Sequence, residues 1–113
     1  MSARGELRLW ALQRASAAVL AFCVLVHLAT IIYAVRGGLT AAAILARTQG
    51  NIGWAAFYVV FVISVAIHAP IGLRTVAAEW LGWRGRSADL AMAALAVVLA
   101  ALGMRAVIAV FCP

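Results

Sequence analysis

The chain has 113 residues, 68% hydrophobic and 11% charged, with nine arginines, no lysine and three acids, for a formal charge of +6. A soluble domain carries about 25% charged residues, so this composition cannot cover the surface of a water-soluble fold, and a disordered or collagen-like chain is excluded as well. What remains is a membrane protein of a few spans, with no nucleic acid implied as a partner, because the arginines lie mainly between apolar runs, where they orient a chain in a bilayer.

The first ten residues, Met1 to Trp10, are polar. The run that follows has full spanning length rather than that of a short signal-peptide core, so no cleavable signal is expected. That first run, Ala15 to Val35, has 21 residues without a charge. The next connection, Arg36 to Asn51, holds Gly37, Gly38 and Gly50. Within it, Thr40 is placed to cap a short interfacial helix through Arg47. The second run, Ile52 to Leu73, has 22 residues and no Asp, Glu, Lys or Arg. A short basic connection, Gly82 to Ser87, leads into the third run. There Ser87 reads as a helix N-cap, with Asp89 suiting the positive end of the helix dipole. The third run, Leu90 to about Phe111, is rich in alanine and interrupted only by Arg105. Small residues let helices approach closely in lipid, so this run reads as packing and anchoring, with Arg105 snorkelling to the nearby interface.

About 20 apolar residues at ~1.5 Å each cross a ~30 Å hydrocarbon core. An isolated strand would leave its backbone groups unpaired there, so each run is expected to span as a helix. The fold class is therefore an all-α membrane protein with three transmembrane helices, at about 15–35, 52–80 and 88–111, in a single membrane-anchor domain, 1–113. Arg4, Arg8, Arg14, Arg74, Arg84 and Arg86 lie on one side, and Arg36 and Arg47 on the other. This imbalance places the N-terminus in the cytoplasm and the C-terminus outside. Cys23 and Cys112 belong to no haem-attachment or zinc pattern and read as structural rather than disulfide-bonded.

Both histidines of the chain, His27 and His68, fall inside spans. Ionisable residues at membrane depth tend to face a bundle interior or a functional path, and a neutral imidazole is the usual axial ligand of b-type haem. The competing reading is a hydrogen bond to a neighbouring helix. His68 lies about 9 Å from Arg74 along its helix, and His27 about 19 Å from Arg14. The two are therefore at different levels. If both bind haem they hold two different haems, and each iron needs a second ligand from another subunit. Gly72, four residues after His68, leaves space on the same helix face for a macrocycle edge, and Ser64 and Phe57 continue that face. Pro70 removes one backbone hydrogen bond and is expected to bend the helix. Arg14 and Arg74, near the cytoplasmic ends, suit a haem propionate, a quinone carbonyl or a lipid phosphate. Trp54, Trp80 and Trp83 suit an interfacial belt.

The segment Gln13-Arg14-Ala15-Ser16, followed by His68-Ala-Pro-Ile-Gly72-Leu-Arg74 and then Glu79-Trp80, resembles the membrane-anchor cytochrome b subunits of succinate dehydrogenase and fumarate reductase (respiratory complex II). Those anchors have three spanning helices with a cytoplasmic N-terminus. Their first helix opens with Arg and, two residues on, Ser or Thr. Their second carries a haem-ligating His, then Gly, Arg, an acid and an aromatic residue at the offsets seen after His68. The resemblance covers roughly positions 10 to 82. It implies that His68 is an axial haem b ligand, that Arg74 approaches a propionate, and that Arg14, Ser16 and Trp80 face a quinone. Trp80 stands where the family often has Tyr, and its indole N–H can donate but cannot release a proton. His27 matches the two-haem members, whose helix-one histidine binds the distal haem.

The reading that follows is a haem b-binding anchor subunit, non-catalytic on its own, in the inner (cytoplasmic) membrane. It pairs with a second anchor subunit and sits beside lipid, an iron–sulfur subunit and a flavoprotein subunit. Electrons from succinate in the tricarboxylic acid cycle pass to quinone, with Glu79 a candidate proton relay. The alternatives are a single-haem anchor and a haem-free anchoring or assembly subunit of a respiratory complex. A transporter is disfavoured by the lack of an inverted repeat or a pair of broken helices.

Overall fold

The computed structural model describes residues 2–112. Four helices follow in order: α1, Ala3–Gly37; α2, Ala41–Thr48; α3, Ile52–Leu81; and α4, Arg86–Phe111. Three of them, α1, α3 and α4, are long and apolar enough to cross a membrane. They run up, down and up in a bundle about 49 Å long and 24 × 23 Å across. At 30 residues α3 is about 45 Å long. It exceeds the hydrocarbon thickness, so its ends reach the headgroup region or the helix tilts.

Helix α1 starts earlier than the apolar pattern suggests. The polar first residues are helical from Ala3, because the Ser2 side chain accepts a bond from the Gly5 N–H and caps the first turn. Thr40 caps α2 in the expected way, its hydroxyl accepting from the Ala43 N–H at 3.1 Å. The expectation for Ser87 is corrected. The chain turns at Gly85, whose φ of 92° favours glycine, so α4 begins at Arg86 with Gly85 as N-cap. Ser87 lies inside the first turn, where its hydroxyl accepts the Trp83 indole N–H at 2.9 Å.

Helix α3 is the centre of the bundle, with α1 packed on one side and α4 on the other. The buried residues among those described are small: Ser16 and Cys23 on α1, Ser64 and Ala77 on α3, Ala88 on α4, together with Pro70 and Val107. Large apolar side chains such as Phe22, Leu25, Val97 and Leu102 point outward. Lipid is as apolar as leucine, so burying leucine gains little here, and close backbone approach through small residues holds the helices together instead. Helix α2 is tied to the end of α4. The Thr48 hydroxyl donates to the Val110 carbonyl at 2.9 Å, and the Gly50 N–H donates to the Phe111 carbonyl at 3.1 Å. These bonds satisfy carbonyls that a helix C-terminus otherwise leaves open.

The tightest approach is at Gly103 of α4. A β-carbon there would lie 2.6 Å from Val62 Cγ1 on α3, and a β-branched valine in a helix has little rotameric freedom to withdraw. Gly103→Ala is expected to destabilise the α3–α4 pair by about 1–3 kcal/mol, measured as a lower thermal midpoint in detergent. Gly37→Ala serves as a comparison at a helical glycine where a β-carbon meets nothing closer than 3.9 Å.

Candidate functional site

His68 is half-buried on α3, facing α1. Its Nδ1 lies 3.4 Å from the Ser16 hydroxyl. The Ser16 O–H donates to the Gln13 carbonyl at 3.2 Å, which leaves the hydroxyl oxygen to accept from the imidazole in the tautomer protonated at Nδ1. A neutral imidazole then carries its lone pair on Nε2, which has no hydrogen-bond partner among the described residues. Ser16 is buried and pairs with the histidine.

Gly72 stands one turn beyond His68, against α1. A β-carbon there would be 3.1 Å from Gln13 Nε2, so within this chain the space beside Gly72 admits the Gln13 side chain. Gln13 Oε1 is buried without a hydrogen-bond partner among the described residues. Gln13 opens the Gln13-Arg14-Ala15-Ser16 segment of the sequence, but no role was assigned to it there. Ser64, one turn before His68, is buried and donates to the Val60 carbonyl at 2.8 Å.

Arg74 joins three helices. Its Nε donates to Asp89 on α4 at 2.9 Å, and its Nη2 reaches Glu6 on α1 at 3.5 Å. Neither acid was singled out as its partner from the sequence, because both are remote along the chain. Glu79 is exposed and forms no ion pair among the described residues. Trp80 is 81% exposed. Arg14 is exposed, with its guanidinium 5.3 Å from the Trp10 ring one turn earlier on α1. Thus His68, Ser16 and Gly72 meet at the α1–α3 contact. Arg14, Glu79 and Trp80 face outward from the same end of the bundle and are not hydrogen-bonded to that group.

The second histidine repeats the motif at another level. His27 Nδ1 lies 3.4 Å from the Tyr58 hydroxyl on α3. Tyr58 and Phe61 meet its ring edge-on, with centroids 5.7 and 5.6 Å away. Its Nε2 is likewise unpaired among the described residues. Since His68 is level with Ser16, and Ser16 is eleven residues before His27 on α1, the two imidazoles differ in height by about 16 Å. His27 lines two clefts. One, of about 740 Å³, lies between α1, α2 and α3 and includes Tyr33, Arg47 and Trp54. The other, of about 470 Å³, opens toward Gly103 and Val107 of α4. Both fall in the size range of small-molecule and cofactor sites.

The donor chemistry fits a haem. An axial histidine commonly has its second ring nitrogen held by a hydrogen bond that fixes tautomer and orientation. Each imidazole here has a hydroxyl 3.4 Å from Nδ1, and in the tautomer protonated at Nδ1 the Nε2 lone pair is free for a ligand. Among the described residues no cluster of three or more His, Cys, Asp or Glu could hold a bare metal ion.

The Arg74–Asp89 pair is part-exposed at 27% and 48%, which limits its weight to about 1 kcal/mol or less. Asp89→Asn is accordingly expected to lower the thermal midpoint only slightly, whereas Arg74→Ala, which frees both acids, lowers it more. Parallel melts of the detergent-purified protein check the order.

No individual curated protein and no solved structure matches the chain. The family model described as succinate dehydrogenase/fumarate reductase transmembrane subunit matches residues 1–105, nearly the whole length. Three spanning helices, a histidine in two of them and this match agree: the chain belongs to the succinate dehydrogenase/fumarate reductase transmembrane subunit family.

Proposed function

We propose that this chain is a haem b-binding anchor of a succinate:quinone oxidoreductase that, with a second anchor subunit, holds two haems at separate depths. The observation that carries this reading is the repeated pairing of an intramembrane imidazole with a hydroxyl from the facing helix, Ser16 for His68 and Tyr58 for His27. With the ring protonated at Nδ1, each pairing leaves the Nε2 lone pair to a ligand. The chain has two histidines, so a partner subunit supplies the other axial ligands.

In this reading His68 holds the haem nearer the charged end and His27 the one nearer α2. Gly72 and Ser64 flank His68, and Arg74 stands close enough to the same end to meet a propionate once its acids yield. When bound, haem supplies a one-electron carrier within the bilayer. The charged end carries most of the arginines and faces the cytoplasm, against an iron–sulfur subunit that receives electrons from a flavoprotein subunit. There Arg14 and the Trp80 indole N–H offer hydrogen-bond donors to a quinone. The buried Ser16 hydroxyl links this region to His68, and the exposed Glu79 carboxylate can pass a proton toward the reduced quinone. The location is the cytoplasmic membrane. Substrate oxidation belongs to the flavin, and this chain supplies ligands, burial and orientation.

The test is a reduced-minus-oxidised visible spectrum of the purified complex, with haem counted against flavin. The expected ratio is two, falling to one in His68→Ala and in His27→Ala, each with loss of a b-type band. A spectrum unchanged by either substitution leaves a purely anchoring subunit. Ser16→Ala is expected to keep the His68 band but raise its midpoint potential. Losing the acceptor for Nδ1–H makes the imidazole a weaker donor to the oxidised iron, and a potentiometric titration reads the shift.

A further inference from the structure

The cleft of about 740 Å³ between α1, α2 and α3 contains a second group that none of the assignments above uses. Arg47 enters it from α2. Its Nη2 donates to the Gly38 carbonyl at 3.2 Å, and its guanidinium carbon lies 5.3 Å from the Tyr33 ring centroid. Of its five N–H donors, this is the one engaged, and no carboxylate pairs with it among the described residues.

Tyr33 is six residues beyond His27 on α1, a rise of about 9 Å. The cleft therefore has an imidazole with an open Nε2 at depth, apolar and aromatic walls from Ile44, Trp54 and Tyr58, and a cation nearer the membrane surface. A ligand that meets all three is flat and apolar, binds nitrogen at its centre and carries a carboxylate at its edge. Arg47 is also held in place rather than presented on a loose loop. Thr40 caps its helix, and Thr48 and Gly50 bond the last carbonyls of α4.

We propose that Arg47 is the anionic subsite of the His27 cleft and binds a propionate of the haem held there, so that α2 is a cofactor-binding element. This rests on the two-haem reading. A guanidinium offers a planar fork that matches a carboxylate, and at the edge of a low-dielectric cleft such a pair is stronger than in water.

The experiment is a potentiometric titration of the assembled, purified complex carrying Arg47→Gln, Arg47→Lys or His27→Ala, with bound phospholipid measured by mass spectrometry. Removing a cation beside the haem favours the more positive oxidised iron. Arg47→Gln therefore lowers the midpoint of the component that His27→Ala removes, or loses that component, while the His68 component stays in place. Arg47→Lys keeps the component with a smaller shift, which separates lost charge from a damaged helix. If His27→Ala removes one component but Arg47→Gln leaves its midpoint unmoved, the Arg47 assignment is overturned and the two-haem reading stands. If His27→Ala removes no component, both fall. If Arg47→Gln strips a phospholipid and moves neither midpoint, the guanidinium holds a lipid phosphate and the proposal is overturned.

Discussion

Two hydroxyl–imidazole contacts across the α1–α3 interface organise this bundle, Ser16 with His68 and Tyr58 with His27. In hydrocarbon no water is at hand to satisfy a ring nitrogen, so a histidine placed there needs a partner from the protein. Each contact satisfies one nitrogen and leaves the other open. The helix pair is thereby set in register, and Nε2 of each ring is left without a hydrogen-bond partner among the described residues. The same pairing at two heights makes α1 and α3 a ladder with two rungs about 16 Å apart.

The packing around those rungs follows from the solvent. Because α1, α3 and α4 turn their large apolar side chains outward, contact between them depends on Ser16, Cys23, Ser64, Ala77, Ala88 and Gly103. Close approach brings the hydroxyls within reach of the imidazoles, and bulkier residues along the same seam would hold them apart. The packing that stabilises the bundle is therefore also what builds the histidine sites. The exposed aromatic and apolar faces are consistent with a subunit that lies against lipid and other membrane chains.

Apart from Arg105 within α4, charge lies toward the ends of the bundle. Arg74 gathers Glu6 and Asp89 and so ties the first, second and third spans together at one end. At the other end α2 folds back and is pinned to the end of α4, bringing Arg47 over the cleft beside His27. The two ends differ in what they expose. One offers Arg14, Glu79 and Trp80 outward, while the other leaves Arg36 exposed and turns Arg47 into the chain's own cleft.

Much of the architecture was legible from periodicity and composition alone. Three apolar runs of spanning length, the Thr40 cap and two histidines at unequal depths all depend on local chemistry or on rise per residue, which a helix imposes wherever it forms. The start of α4 was misread because a glycine with positive φ, not the nearby serine, turns the chain. The partners of the functional groups were decided by tertiary structure. Ser16 and His68 are 52 residues apart, His27 and Tyr58 31, and Arg74 and Glu6 68. No local rule selects among the hydroxyls and acids of the facing helices. That choice was made by the rotation of each helix about its axis, set by where small side chains let α1 and α4 settle against α3.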